Sequence, residues 1–278
     1  MAKLYCIIAR EADCGVIFRR GPSRHVALIK WDLKANQFER GQWFNGNIYE
    51  RKSDLSPDGS KLAYFAAKYH YGAELQTWIA VSTPPYFTAH VLWKTIGTYV
   101  DISLFTANNS LSLAVYSNDS VIDPYEGFTV PKQLRVKRKP WPGHFYITPE
   151  HDRLIRDGWF VQSGDPVYHG ANSEKNYLVI YRKYLMPENE QVYLEMAAKS
   201  SGNSLYKLCN ANDNPIILNA NWADFHCKNV YFSSGGVLLQ VPIYENGGRF
   251  TLGDLKQLAD FSEMKFEELE APSSALMW

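Results

Sequence analysis

The sequence has few cysteines, and none of them lies in a metal-binding or redox spacing. Its 278 residues include four cysteines, with no C-x-x-C pair among them: Cys6, Cys14, Cys209 and Cys227. Structural zinc sites and dithiol centres need closely spaced cysteine or histidine ligands. Isolated cysteines in a chain of this length therefore predict buried free thiols in a reducing compartment.

The sequence also lacks net charge and long apolar runs. Its 29 basic and 29 acidic residues create no overall field that would attract nucleic acid or an anionic membrane. No run reaches the ~18 apolar residues of a membrane-spanning helix. The first apolar run is short and ends at Arg10 and Glu11, which argues against a signal peptide. We therefore expect a soluble, cytoplasmic protein with no membrane partner.

Catalytic motifs are absent as well. The sequence contains no G-x-S-x-G nucleophile motif, no phosphate-binding loop and no G-x-G-x-x-G motif. Its histidines show no H-x-x-x-H pairing and no shared register: His25, His70, His90, His144, His151, His169 and His226. A zinc or nucleophile site needs two or three converging groups. We therefore predict no catalytic residue, no metal ligand and no cofactor.

Three aspartates remain as the carboxylates closest to a catalytic pattern. Asp54, Asp101 and Asp224 lie at or just before predicted strand starts, where propeller glycosidases carry their acids. Such an enzyme needs two carboxyl groups about 5–9 Å apart. The other interpretation is that each aspartate accepts hydrogen bonds from turn amides. The two interpretations differ in whether the carboxylates are available to a substrate.

What the sequence does contain is a high aromatic content and many short apolar runs. Aromatic residues make up 14% of the chain, with 18 Tyr, 14 Phe and 8 Trp. Large rings pack well on the pleated surface of a sheet. Five tryptophans lie in apolar strand contexts and are predicted to be largely buried: Trp31, Trp43, Trp78, Trp93 and Trp222. The composition favours an all-β fold with a sizeable core.

Residues 54–66 form the clearest local pattern, Asp-Leu-Ser-Pro-Asp-Gly followed by an apolar run. Pro57 suits the second position of a type I turn, and Gly59 suits the left-handed position that closes a hairpin. The strand that follows is apolar on both faces, which is typical of a strand covered on both sides. We predict a hairpin with its turn at residues 56–60.

Weaker copies of this strand–turn–strand pattern occur along the chain. They lie at residues 104–116, 145–155 and 222–232. A second element, two apolar runs around a polar turn, recurs at residues 25–44, 205–218 and 237–261, the last of them around Asn246-Gly247. Sheet units repeating every ~40–55 residues are typical of a β-propeller. We predict one propeller-like domain over residues 1–278, with about five blades of antiparallel strands. A β-sandwich is the alternative, and only a turn or two of helix is expected, after Thr148 and within residues 252–269.

The Asp-Leu-Ser-Pro-Asp-Gly hairpin resembles those of TolB-like and tryptophan–aspartate-repeat propellers. The chain also resembles an uncharacterised group of bacterial cytosolic proteins. The matching stretches are residues 41–44, 48–51, 54–66, 77–78, 84–89, 156–159 and 222–224. This resemblance implies a propeller-like fold and supplies no activity. The chain departs from the group at residues 98–102, which replace a glycine-rich run, and at residues 226–228, which replace an Asp- and Gly-containing turn.

One local charge feature stands out, a basic insertion flanked by prolines near residues 130–144. It contains five basic residues and then an aromatic one: Lys132, Arg135, Lys137, Arg138, Lys139 and Trp141. Its prolines oppose both helix and central strand, so we expect an extended projecting arm. Basic residues beside a ring could bind an acidic protein surface or single-stranded nucleic acid. Alternatively, the segment is an edge strand whose lysines prevent aggregation.

Together these patterns favour a non-catalytic module that binds another protein, such as a toxin antidote (an immunity protein) or a scaffold. Propellers present rigid, loop-built faces that serve binding without reactive groups. The alternative is a hydrolase or lyase with a carboxylate site in the axial channel. Several carboxylates converging on one pocket would favour the enzyme.

Overall fold

Short antiparallel strands dominate the computed structural model, which describes residues 1–21, 24–69, 72–98, 102–114, 123–140, 143–168, 178–186, 189–199, 204–210 and 214–278. The chain divides into two compact units. The N-terminal unit comprises Cys6–Gly143 and Met264–Trp278, and the C-terminal unit comprises His144–Glu263 and Met1–Tyr5. The sequence-based prediction of one domain stays a prediction.

Two sheets begin the chain. The first has the order β1-β2-β3-β4 and consists of β1 (Lys3–Ile8), β2 (Cys14–Arg20), β3 (His25–Asp32) and β4 (Gln37–Asn45). In the second, β7 (Leu62–Ala67) pairs with β5 (Asn47–Ile48), β6 (Asp54–Leu55) and β8 (Thr77–Ser82), and β8 pairs with β9 (Ala89–Lys94). A 3-10 turn at Glu50–Lys52 separates β5 from β6. Antiparallel pairing joins β2 to β3, β3 to β4, β7 to each of β5, β6 and β8, and β8 to β9.

The predicted hairpin at residues 54–66 is confirmed. Asp54 lies opposite Ala63 and Leu55 opposite Leu62, so the turn occupies residues 56–61. Asp58 organises the turn, because it accepts hydrogen bonds from the hydroxyls of Ser56 and Ser60 at 2.6 and 2.9 Å. All six residues of β7 are buried, as expected for a strand that is apolar on both faces.

A third, smaller sheet completes the core of the N-terminal unit. It has the order β10-β11-β12 and consists of β10 (Leu104–Ala107), β11 (Ser110–Leu113) and β12 (Arg135–Arg138). Its apolar residues join those of the second sheet in one cluster: Ala63, Phe65, Ile79, Val81, Val91, Trp93, Phe105, Leu111, Leu113 and Leu134. Burial of these side chains holds the two sheets together.

Within its described residues, the C-terminal unit contains one short helix and three sheets. The strand β13 (Phe145–Tyr146), the helix α1 (His151–Arg156), and the strands β14 (Phe160–Ser163) and β15 (Val167–Tyr168) come first, and β13 pairs with β15. A five-stranded sheet of order β14-β16-β17-β18-β19 adds β16 (Leu178–Met186), β17 (Asn189–Lys199), β18 (Ser204–Asn210) and β19 (Ile216–Leu218). The last sheet comprises β20 (Trp222–His226), β21 (Asn229–Ser234), β22 (Val237–Asn246), β23 (Arg249–Leu252) and β24 (Lys256–Asp260).

Tight turns connect the strands of this last sheet. Cys227 and Lys228, both with positive φ, join β20 to β21, and Gly247 and Gly248 join β22 to β23. Two consecutive positive φ angles suit the right-handed twist of a hairpin. The hairpins predicted at residues 222–232 and around Asn246-Gly247 are therefore confirmed.

The predicted all-β class is confirmed. The expected helical turn after Thr148 is α1, whereas residues 252–269 form strand and irregular structure with no helix. None of the helices in the described residues has the length and apolar content needed to cross a membrane. The sheets are small and antiparallel apart from the β11–β12 pair, which is parallel.

The expected burial of the tryptophans is confirmed for four of the five: Trp31, Trp78, Trp93 and Trp222. Trp43 is less deeply buried than these four, and its ring contacts the Arg19 guanidinium at 5.7 Å and the ring of Phe266. All four cysteines are free, but only Cys6 and Cys209 are buried.

Candidate functional site

The basic segment forms the end strand of the third sheet. β12 runs parallel to β11, with Arg135 opposite Ser110 and Arg138 opposite Leu113. The backbone amide of Arg135 donates to the carbonyl of Asn109 at 2.8 Å. No other described strand pairs with β12, so one of its edges is open within the described part of the chain.

This position corrects the expectation of a projecting arm. Leu134 is only 5% exposed in the core, and Val136 packs against the same cluster. Pro131 and Pro140 flank the pairing residues without interrupting them, so the strand forms between the prolines. The segment is thus an anchored edge strand.

Side chains along β12 alternate between its two faces, and the basic side chains fall into an exposed and a half-buried group. Arg135 and Lys137 are exposed on one face, and Lys132 is exposed just before the strand. Arg138 and Lys139 are half-buried and have interactions of their own. Trp141, the last residue predicted for this site, lies outside the described residues. The structure therefore leaves Lys132, Arg135 and Lys137 exposed at the surface.

These three cations lack acidic partners within the described residues. The ion pairs found there involve other side chains, such as Arg182 with Glu195 at 3.0 Å and Lys183 with Asp224 at 2.6 Å. Exposed charges that are not paired internally can attract a partner of opposite charge. The open strand edge and the exposed cations Lys132, Arg135 and Lys137 form a candidate interface for an acidic, extended ligand.

Two of the three carboxylates considered as candidate acids form hydrogen bonds within the fold. Asp54 is fully buried and accepts a hydrogen bond from the Phe105 amide at 2.7 Å. Asp224 binds the Lys183 ammonium at 2.6 Å and accepts from the Phe225 amide. Asp101 lies outside the described residues. The described geometry therefore supports the hydrogen-bonding interpretation for Asp54 and Asp224.

Replacing Asp54 with alanine is expected to lower the free energy of unfolding by roughly 1–3 kcal/mol, because the buried Phe105 amide loses its acceptor. The Asp54→Asn variant keeps an acceptor oxygen and should cost less. Urea unfolding curves of both variants and the native chain measure the difference. An Asp54→Ala protein as stable as the native one would contradict this structural role.

A column of aromatic and histidine rings in the C-terminal unit was missed by the sequence analysis. Tyr146 stacks on His151, with ring centroids 4.0 Å apart, and its ring contacts that of His144 edge to face at 4.9 Å. His151 Nδ1 lies 2.9 Å from the Tyr181 hydroxyl. Burial raises the pKa of Tyr181, so its hydroxyl stays protonated at neutral pH. The column joins strand, loop and helix residues that no sequence periodicity connects.

Arg153 of α1 lies in the same unit and is almost fully buried. Its guanidinium donates to the Tyr5 hydroxyl and lies 5.5 Å from the Tyr5 ring centroid. Glu150 and Thr148 are also buried at the start of this helix. The buried hydrogen bond between Arg153 and Tyr5 specifies how this segment packs, which gives Arg153 a structural role.

A third polar group lies at one end of the second sheet, in the N-terminal unit. The Lys61 ammonium donates to Thr83 Oγ at 2.9 Å, and Thr83 Oγ lies 2.8 Å from His90 Nε2. Burial, together with the nearby Lys61 charge, lowers the pKa of His90 from 6.5 to about 4. The imidazole is therefore neutral at pH 7 and is hydrogen-bonded to the Thr83 hydroxyl.

Comparisons with known proteins give little to set beside this geometry. No family model and no curated protein matches the chain. Among solved structures, a variant of the AtxE2 isopeptidase with Astexin3-dC4 bound is similar over 94% of this chain and 53% of its own, at 9% identity and a TM-score of 0.38. The chain thus spans about half the length of that protein, and so distant a likeness carries no argument about function.

Proposed function

We propose that the chain is a non-catalytic protein-binding module whose strand β12 accepts an acidic segment of its partner as an added strand. The observation that carries this proposal is that Arg135 and Lys137 are exposed on one face of an end strand with an open edge, and that Lys132 is exposed shortly before this strand. Strand addition combines backbone hydrogen bonds with side-chain selection, and here the side chains select for negative charge.

The backbone of β12 supports strand addition. The amides of Arg135 and Lys139 point to β11, where they bind the carbonyls of Asn109 and Leu113. Successive residues of a strand point their backbone groups to opposite sides. The backbone groups of Val136 are therefore directed away from β11, toward the edge that no described strand occupies.

An acidic peptide fits this edge better than a nucleic acid does. A peptide supplies the amides and carbonyls that a strand edge needs, whereas the sugar-phosphate backbone of a nucleic acid offers no amide donors to pair with that edge. Because the charges are exposed, binding should weaken as the salt concentration rises.

We further propose that the small antiparallel sheets are blades of a propeller-like fold with about five blades. Such a scaffold would present β12 rigidly, as a toxin antidote or a scaffold protein requires. Four free cysteines fit a reducing compartment such as the cytoplasm.

The test uses a fluorescein-labelled peptide of alternating Glu and Thr as the probe, with anisotropy measured at two salt concentrations. The native chain should bind it, and the Lys132→Glu/Arg135→Glu/Lys137→Glu variant should lose binding. Reversal of Lys34, Arg40 and Lys68, also exposed in the N-terminal unit, is the matched control with the same change in net charge. Both triple variants should keep their stability within about 0.5 kcal/mol of native.

A second pair of variants separates the backbone from the charge. Val136→Pro removes one outward amide while keeping the bonds to β11, and Val136→Ala controls for the lost side chain. We expect the proline variant to lose peptide binding and the alanine variant to retain it. Equal peptide binding by native and β12-reversed proteins would refute the proposal. Binding of a dT oligonucleotide in place of the peptide would favour the nucleic-acid alternative.

A further inference from the structure

The inward face of the third sheet carries an apolar row that ends at the open edge of β12. Phe105 of β10 lies opposite Leu111 of β11, and Leu111 lies opposite Val136 of β12. Phe105 and Leu111 belong to the core cluster of the N-terminal unit, and Val136 packs against it. Phe105 and Leu111 are fully buried, whereas Val136 is only half-buried. Burial along the row is therefore incomplete at its last member, in the strand whose other edge no described strand occupies.

The outward face of β12 is polar. Arg135 and Lys137 lie opposite serines of β11, and both cations are exposed. Val136 points to the other face, because neighbouring side chains of a strand alternate. Arg138 shares that face, where it is half-buried and has interactions of its own. Within β12, Val136 is thus the position available for an apolar contact.

We propose that the partner segment added to β12 is amphipathic, with acidic side chains beside Arg135 and Lys137 and an apolar side chain beside Val136. This inference rests on the proposed function, because it assumes that the segment pairs with β12. It adds a requirement that the charges alone do not impose, namely that acidic and apolar residues alternate along the partner strand.

The geometry of strand pairing explains this requirement. Residues directly opposite each other on paired strands have their side chains on the same face, with Cβ atoms about 4.5–5.5 Å apart. A partner residue opposite Val136 therefore continues the apolar row, and its burial against the valine is favourable if it is apolar. Its two neighbours point to the outward face, where carboxylates meet Arg135 and Lys137. A shift by one residue would place acids beside Val136, so the alternation also selects the register.

Two fluorescein-labelled peptides test the apolar position, one alternating Glu and Val and the other alternating Glu and Thr. Valine and threonine are both β-branched and favour strands, so the peptides differ mainly in polarity. In anisotropy titrations the native chain should bind the Glu-Val peptide at least about fourfold more tightly, the gain expected from burying about one methyl group. A third peptide, in which pairs of Glu alternate with pairs of Val, has the same composition but mixes both residue types on each face. It should lose this gain.

The Val136→Thr variant makes the matching change in the protein. It keeps the branched shape that suits a strand, so it should bind the Glu-Thr peptide as the native chain does. Its preference for the Glu-Val peptide should largely disappear. Val130→Thr is the matched control, since Val130 is also half-buried and packs against the same cluster but lies outside β12. This control should keep the native preference.

The outcomes separate this inference from the proposed function on which it rests. Equal affinity of the native chain for both alternating peptides, with binding still lost when Lys132, Arg135 and Lys137 are reversed, would overturn the amphipathic requirement and leave the proposed function standing. A preference for the Glu-Val peptide that survives in Val136→Thr would also overturn it, because the apolar contact would lie elsewhere. Failure of the native chain to bind any of the peptides would refute the proposed function itself.

Discussion

Replacing Trp93 with alanine is expected to lower the free energy of unfolding by about 3–5 kcal/mol, because a large buried ring is lost and a cavity remains. Trp93 lies in β9 and is 1% exposed, within the cluster that joins the second and third sheets. Chemical denaturation monitored by circular dichroism measures the change.

Two control variants show whether burial is the cause. Trp93→Phe keeps most of the apolar volume and should cost clearly less than the alanine variant. Trp43→Ala removes the same side chain from a half-buried position and should also cost less. If Trp43→Ala destabilised the protein as strongly as Trp93→Ala, the assignment of Trp93 to the core would be wrong.

The second large effect is expected at Gly59, which closes the hairpin between β6 and β7. Its φ is +74°, and a Cβ atom added there would lie 2.2 Å from Cys14 Sγ. The left-handed conformation costs an alanine about 1–2 kcal/mol. Crowding against Cys14 adds about 1–3 kcal/mol. Gly59→Ala should therefore destabilise the protein by roughly 2–5 kcal/mol.

A double-mutant cycle with Cys14→Ala separates these two causes. Removing the sulfur should relieve the crowding and leave the conformational cost in place. The double variant should then be destabilised by less than the sum of the two single variants. Strict additivity of the three unfolding free energies would show that Cys14 does not oppose the new methyl group.

The hairpins were predictable because their turns depend on neighbouring residues. Pro57 and Gly59 carry the conformational preferences of a type I turn with a left-handed closing residue, whatever surrounds them. The pattern at Asn246-Gly247 predicted a hairpin for the same reason, and the turn itself lies one residue later, at Gly247 and Gly248. Burial of Trp31 and Trp93 also followed from local pattern, since both lie in runs of apolar residues.

The candidate interface was only half predictable. Its basic residues are visible in the sequence, but the parallel pairing of Arg135 with Ser110 joins distant parts of the chain. Because of that pairing and the burial of Leu134, the segment is an edge strand and not the projecting arm expected from the sequence. It also separated the exposed Arg135 and Lys137 from the half-buried Arg138 and Lys139, a distinction that the linear sequence does not contain.

The sequence by itself determined the all-β class, the hairpin turns and the burial of most tryptophans, because these depend on backbone preferences and on apolar surface carried by adjacent residues. Only the tertiary structure decided which polar groups meet. His90, Thr83 and Lys61 come together because β7, β8 and β9 are neighbours in one sheet, and Trp278 joins them through packing of a segment far along the chain. Contacts of this kind depend on long-range burial and geometry, which no local pattern of residues encodes.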